Sequence, residues 1–248
     1  MCLRRFQRGC FLIFLNLIQT ISKLKKMKEY TVEILKIEEL THDVRRIVTE
    51  KPDSNYTFEP GQATEVAVTL PDMKTERRPF TFTSKNSDEN LEFIIKVYHT
   101  DGVTDIIGKL QEGNKLLVHD VWGAISYKGP GYFLAGGAGI TPFLAMLRQL
   151  AEENNIDGNM LFFSNKTKRD IILEDELKHY LGDNAIFTLT RENHSDYENG
   201  HIDIDMLKKH NVDFSKYFYV CGTPKMTNEL VKGLKEAGVP DEKIVYEH

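Results

Sequence analysis

Arg78, Pro79, Phe80 and Thr81 form the four-residue run R-P-F-T. In an extended chain alternate side chains share a face, so Arg78 and Phe80 project together while Thr81 projects the other way unless the strand bends. A guanidinium can hold a phosphate, an exposed aromatic ring can stack on a flat ligand, and a hydroxyl can hydrogen-bond to the ligand's edge. The plainer alternative is an ordinary strand carrying a solvated arginine. A second run, GGAGITPF at residues 136–143, follows the apolar YFLA and precedes LAMLRQL, so it lies where a strand hands over to a helix. Gly137 and Gly139 match the first two glycines of the dinucleotide fingerprint G-x-G-x-x-G, but Pro142 takes the third place. Proline is tolerated in the first turn of a helix, where its missing N–H costs nothing, so the turn can still offer free N–H groups to an anion. A third run, C-G-T-P-K-M, starts at Cys221.

Other chemistry is poorly supplied. His99, His119, His179, His194 and His201 show no ligand spacing, and Cys2, Cys10 and Cys221 form no C-x-x-C pair. The expectation is no metal or iron–sulfur centre, and a reducing, cytoplasmic compartment. The first 26 residues hold six basic and no acidic side chains around the apolar run CFLIFLNLI, too short to span a membrane. They read either as a targeting segment or as an over-long start, the folded protein opening at Met27; the second is favoured because no A-x-A-like cleavage site follows. Without them the chain has 26 basic against 37 acidic residues, a net charge of −11, which argues against a nucleic-acid partner.

Two textures position the three runs. From Glu29 to about Tyr127 apolar residues alternate in short stretches (TVEILKI, VRRIV, TEVAVTL, FTFTS, LEFIIKVY, KLLVHD), which predicts an antiparallel β-barrel or sandwich with one helix over VTDIIGKLQEG. After Lys128-Gly129-Pro130-Gly131, apolar strands alternate with helix-length segments, which predicts βαβ units and a parallel sheet with helices on both faces. The expected organisation is a leader over residues 1–27, a barrel domain over 28–128 and an α/β domain over 129–248.

A barrel followed by a nucleotide-type α/β domain, carrying R-P-F-T, G-G-A-G-I-T-P and C-G-T-P-K-M in that order, resembles the ferredoxin-NADP reductase family from Glu29 to the C-terminus. The resemblance implies a barrel that binds FAD and an α/β domain that binds NAD(P)H as substrate. It implies that Arg78 pairs with flavin phosphate, that Phe80 packs on the isoalloxazine or its ribityl chain with Pro79 also at the cofactor, and that Thr81 hydrogen-bonds to flavin N5. The family more often has tyrosine and serine at the last two positions. It implies pyrophosphate contact at the helix after Gly102; because Asp105 stands where the family usually has serine, backbone N–H groups of Val103 and Thr104 are the expected contacts. It implies that Gly136, Gly137, Gly139, Thr141 and Pro142 shape the nicotinamide nucleotide site. Cys221, Gly222 and Met226 then lie beside the nicotinamide, with Cys221 a packing group and not a nucleophile, and the terminal Glu247 is a candidate for gating or proton supply.

Lys166, Lys168 and Arg169 in SNKTKRDIIL could receive a 2′-phosphate, yet the same stretch resembles the N-x-T-x-x-D-I of NADH-using cytochrome b5 reductases, with Asp170 at the acidic place. Three cations against one acid lean the expectation to NADPH. Electrons are expected to leave for a separate small carrier such as ferredoxin or flavodoxin, docked by a basic patch of Lys74, Arg77 and Lys85, with the protein a monomer. The rival functions are a free flavin or ferric reductase and a non-catalytic electron-transfer subunit.

Overall fold

The structure is a computed structural model that describes residues 28–68, 76–100, 102–123 and 125–247. The leader, with the reading of Met27 as the start, lies outside the described residues, as does Lys74. The first half folds into six antiparallel strands, β1 (Glu29–Thr41), β2 (Val44–Thr49), β3 (Ala63–Val68), β4 (Arg78–Thr81), β5 (Leu91–Lys96) and β6 (Lys115–Trp122), in the order β4-β3-β6-β1-β2-β5. The strands at the two ends of that order curl together: Thr83 N–H donates to the Glu92 carbonyl at 2.9 Å, and the Phe82 and Phe93 rings meet at 5.4 Å. This closes the barrel predicted from the alternating apolar pattern. Its core is the row Val32, Ile34, Ile47, Val66, Phe82, Leu91, Phe93, Leu116 and Val118. The expected helix is real but short: α1 (Val103–Ile107) stops at Gly108, where an added Cβ would meet the Val97 methyls at 2.8 and 3.0 Å.

The second half is a fully parallel sheet of β7 (Gly131–Gly136), β8 (Met160–Asn165), β9 (Ala185–Leu189), β10 (Glu198–Asn199), β11 (Tyr217–Cys221) and β12 (Ile244–Tyr246), ordered β10-β9-β8-β7-β11-β12. Helices α2 (Thr141–Glu152) and α3 (Glu174–Leu181) cover one face through Phe143, Leu147, Leu177 and Leu181. Helices α4 (Ile204–Lys209) and α5 (Pro224–Glu236) cover the other through Leu207, Leu230 and Leu234. The strand faces are apolar on both sides, as a sheet sandwiched between helices requires. Between the halves, Tyr219 Oη accepts from the Lys128 and Gly129 amides and donates to the Gly129 carbonyl, tying the connecting segment to β11.

The halves share a core as well as a chain. Val44 and Ile94 of the barrel belong to the same apolar cluster as Ile140, Phe143 and Leu147. Gly61, at φ +95°, brings the barrel's P-G-Q turn so close to α2 that a Cβ there would lie 2.3 Å from Met146 Cε and 2.4 Å from the Ile125 carbonyl oxygen. At the centre of the junction Glu92 of β5 accepts from Arg46 Nε at 2.6 Å, Thr83 Oγ1 at 2.7 Å and Arg148 of α2 at 2.6 Å. Burial pushes the Glu92 carboxyl up, but the Arg148 charge and hydrogen bond, joined by Thr83 and Arg46, outweigh it and hold the group below its ordinary value of 4.5. A carboxylate depressed in this way stabilises the fold above its unfolded-state value and loses that contribution as pH falls through the folded one. Glu92→Gln should therefore cost about 3 kcal/mol near neutrality, because it leaves a buried guanidinium underpaired. Urea unfolding at a series of pH values should show the gap between wild type and variant closing as the solution is acidified below the ordinary carboxylate range.

Candidate functional site

The order of the parallel sheet reverses at one place. From β7 the chain steps outward through β8, β9 and β10, then returns to lay β11 on the other side of β7. In an open α/β sheet, ligands bind in the crevice at the carboxyl ends of the two strands that flank such a switch. The two glycine-bearing runs are the turns that leave those two strands: GGAGITP follows β7 and C-G-T-P-K-M begins at the last residue of β11.

The turns are pressed against each other. A Cβ on Gly139 would lie 2.3 Å from the Cys221 carbonyl oxygen, and one on Gly136 would lie 2.4 Å from Met226 Sδ. Gly137 has φ +53° with open space around it, so its requirement is conformational. Gly137–Ile140 form a 3-10 turn that runs directly into α2, with Pro142 in the first turn of the helix and Thr141 Oγ1 donating to the Ala138 carbonyl. Thr223 caps α5 by accepting from the Met226 amide. Parallel pairing of Val220 with Tyr246 sets Glu247 abreast of Cys221. Burial, and then the Glu247 charge, push the Cys221 thiol up to about 12, and burial raises the Glu247 carboxyl above its ordinary range. Cys221 is thus a neutral thiol at physiological pH, unsuited to nucleophilic attack. The structure brings Gly136, Gly137, Gly139, Thr141, Pro142, Cys221, Gly222, Met226 and Glu247 to one edge of the sheet.

The barrel presents its own set. In β4, Arg78 is more than half exposed, and among the described residues its guanidinium meets its neighbours, the Arg77 carbonyl and, at 3.9 Å, Glu76. Phe80 leans partly on the barrel core, and Thr81 stays half-buried. Ala63 of β3 pairs with Thr81 on one side and Trp122 on the other, so the exposed indole of Trp122 stands in the same cross-strand row as Thr81. Trp122 was not singled out in the sequence because nothing there shows which strands are neighbours. At α1, Asp105 is turned back onto Lys109 Nζ at 2.7 Å and His99 Nδ1 at 3.1 Å, which removes the repulsion its charge would otherwise exert on a phosphate. The Asp105 and Ile106 amides are used by the Gly102 carbonyl, which leaves the Val103 and Thr104 amides at the open start of the helix.

At the end of β8, Asp170 closes a capping box with the Thr167 amide and hydroxyl, at 2.8 and 2.6 Å, and lies 3.8 Å from His42 of the barrel. Lys166, Lys168 and Arg169 remain exposed, and the backbone bond from Arg191 N–H to the Lys166 carbonyl sets a further cation, Arg191, beside them. Between these cations and the sheet, Asn165 is 5% exposed with neither side-chain amide atom hydrogen-bonded among the described residues. An unsatisfied buried amide at a strand's carboxyl end, with neighbouring cations, fits a polar phosphate- and ribose-bearing ligand. The exposed Arg78, the half-buried Phe80 and Thr81 and the open α1 amides fit a flavin nucleotide. The expected basic patch is weaker than the sequence implied, since Arg77 pairs with Glu65 and Lys85 with Glu152 and Asp88.

Residues 31–127 match the family model described as an oxidoreductase FAD-binding domain, and residues 133–232 match the oxidoreductase NAD-binding domain. The chain belongs to the ferredoxin-NADP reductase-like flavoprotein family. The reductase component of propane 2-monooxygenase from Rhodococcus jostii is 23% identical over 89% of this chain, which spans 64% of that protein's length. NADH-cytochrome b5 reductase 2 from Mus musculus is 26% identical over 80% of this chain and 86% of its own. The fold is that of a ferredoxin NADP+ reductase from Neisseria gonorrhoeae with bound FAD and NADP, at a TM-score of 0.77, 21% identity and coverage of 89% and 97% of the two chains. The family is one of FAD-dependent oxidoreductases, and no helix among the described residues is long and apolar enough to cross a membrane.

Two measurements probe the packed turns. Gly139→Ala forces a Cβ onto backbone that cannot yield and should cost about 2–3 kcal/mol in thermal unfolding, whereas Gly137→Ala should cost about 1 kcal/mol from its left-handed backbone alone. Alkylation of Cys221 by iodoacetamide, followed by peptide mapping to separate it from Cys2 and Cys10, should be slow near neutrality and still rising at about pH 11, without an earlier plateau.

Proposed function

We propose that this chain takes electrons from NAD(P)H through FAD and delivers them to a separate one-electron protein carrier of the ferredoxin, flavodoxin or cytochrome type. The observation that carries the reading is the pairing of two glycine turns across the sheet's switch point with a barrel strand that displays Arg78, Phe80 and Thr81. FAD, when bound, supplies the chemistry, accepting the C4 hydride of the nicotinamide with both electrons and releasing electrons one at a time.

The chain's own residues would bind and orient. Arg78 and the Val103 and Thr104 amides hold flavin phosphate, Phe80 offers its ring to the isoalloxazine, and the Thr81 hydroxyl donates a hydrogen bond at the flavin edge. The β7 turn, from Gly136 to Pro142, receives the nucleotide pyrophosphate at the start of α2, while Cys221 and Met226 form the apolar wall beside the nicotinamide and exclude water from it. Glu247, raised by burial, can hold a proton at its carboxyl next to that wall. Lys166, Arg169 and Arg191 are the groups to receive a 2′-phosphate, and with Asp170 withdrawn into its cap they favour NADPH modestly. Relatives named as the reductase component of a monooxygenase and as a cytochrome b5 reductase support a protein acceptor. The free Cys221 thiol agrees with a reducing, cytoplasmic setting, and we take the working unit to be a monomer.

Purified protein should release FAD on acid treatment, and anaerobic stopped-flow mixing with NADPH or NADH should bleach it. Recovery of FMN alone, or no bleaching by either nucleotide, would refute the reading. Arg191→Ala should raise KM for NADPH several-fold, about 1 kcal/mol of a screened charge contact, and leave that for NADH nearly unchanged. Steady-state reduction of a ferredoxin, a flavodoxin, a b-type cytochrome, free flavin and ferric chelates at two salt concentrations identifies the acceptor class. Reduction of only the last two, with no salt dependence, would assign a flavin or ferric reductase instead.

A further inference from the structure

Two reacting groups carried on separate domains must be held at a fixed separation, so what spans the domain junction beneath them matters. Arg148 lies on α2, two turns beyond Thr141, and its side chain is 12% exposed. Its Nη1 donates to the Thr83 carbonyl at 2.7 Å and to Glu92 Oε1 at 2.6 Å, both in the barrel. Its Nε and Nη2 donate to the two carboxylate oxygens of Glu176 on α3, at 2.5 and 3.0 Å. One planar guanidinium therefore reads four acceptor atoms on three residues from both halves, a geometry lysine cannot reproduce.

Both partners lead straight to the proposed site. Thr83 is two residues beyond Thr81, just past the end of β4, so at most about 7 Å of backbone separates them. Arg148 is seven residues beyond Thr141 on a continuous helix, a lever of about 10 Å. Short, stiff pieces of backbone thus connect the guanidinium to the hydroxyl at the flavin edge on one side and to the nucleotide turn on the other. Two other polar contacts across the junction are softer: Lys85 with Glu152 at 2.8 Å involves a side chain more than half exposed, and His42 with Asp170 is 3.8 Å long.

We propose that Arg148 is a positioning residue for hydride transfer: by clamping the Thr83 carbonyl and Glu92 to α2, it sets the approach of the nicotinamide to the flavin. The inference rests on the NAD(P)H-to-FAD reading above. A residue of purely structural use would, when replaced, lower the melting temperature and leave the folded fraction's chemistry intact. A positioning residue does more, since a displacement of about 1 Å between reacting atoms costs up to about a hundredfold in rate.

The test uses FAD-loaded full-length protein and the substitutions Arg148→Lys and Arg148→Met, with Glu152→Gln as a junction control. Melting temperature, FAD affinity, NAD(P)H affinity, the anaerobic rate of flavin bleaching and the long-wavelength charge-transfer absorbance of the nicotinamide–flavin pair are measured for each. Both Arg148 variants should keep nucleotide affinities within about threefold of wild type, lose the charge-transfer absorbance and bleach about ten- to a hundredfold more slowly, the lysine variant less severely than the methionine one. The Glu152 variant should match wild type in absorbance and rate. If Arg148→Met does not fold, Arg148→Lys decides. Folded, FAD-loaded Arg148 variants with wild-type absorbance and rate would overturn the inference while leaving the functional reading standing. A wild-type protein that binds FAD but is bleached by neither nucleotide would overturn the functional reading, and this inference with it.

Discussion

A charge buried at a domain junction must be satisfied from both sides, and Glu92 is such a charge. Its carboxylate closes the barrel through Thr83, meets Arg46 on the neighbouring strand and reaches across to Arg148. Replacing any of these partners by an apolar side chain leaves a charge in a place water reaches poorly, so the network tolerates one arrangement of the two halves and few others. The apolar contacts around it, Val44 and Ile94 against Ile140 and Phe143, supply burial but little direction. Direction comes from the forked guanidinium, whose donors point where its plane dictates.

The same logic of close approach governs the nucleotide edge. Gly136 and Gly139 are needed chiefly because the turn after β11 lies against the turn after β7, with Cys221 backbone and Met226 sulfur occupying the space a side chain would take. Pro142 can replace a fingerprint glycine because its position asks only for a helical φ and no N–H donor. Where the glycines leave room, the proposed crevice is walled by backbone, the neutral Cys221 thiol and Met226, surroundings that would suit the hydride transfer proposed above.

The acidic bulk of the protein is kept out of that crevice by local pairing. Asp105 is engaged by the Lys109 and His99 side chains, and Asp170 by the Thr167 hydroxyl and amide, so two carboxylates that the sequence places beside the proposed phosphate-binding segments are already paired locally. Lys166, Arg169 and Arg191 remain exposed, and they are the groups proposed to meet a 2′-phosphate. Arg77 and Lys85 are paired with neighbouring acids, so attraction of an acidic carrier would have to act through a surface already partly neutralised.

The sequence by itself determined the two textures, the change near Lys128 and the order of the three motifs. Period-two and strand–helix patterns are local properties, and the glycine and proline turns depend on backbone geometry a few residues long. Those motifs also sufficed to indicate the family. Only the tertiary structure decided which residues meet. Trp122 joins the Thr81 row because β3 lies between β6 and β4; Arg191 joins Lys166 because β8 and β9 are neighbours; and Asp170 turns inward because Thr167 and the barrel's β1–β2 turn are there to receive it. Arg148 carried no signal at all in the sequence, since an arginine on an amphipathic helix reads as solvated until the strand bearing Glu92 is folded against it. Partners far apart along the chain are chosen by packing and by the need to satisfy buried charge, and neither is written in local spacing.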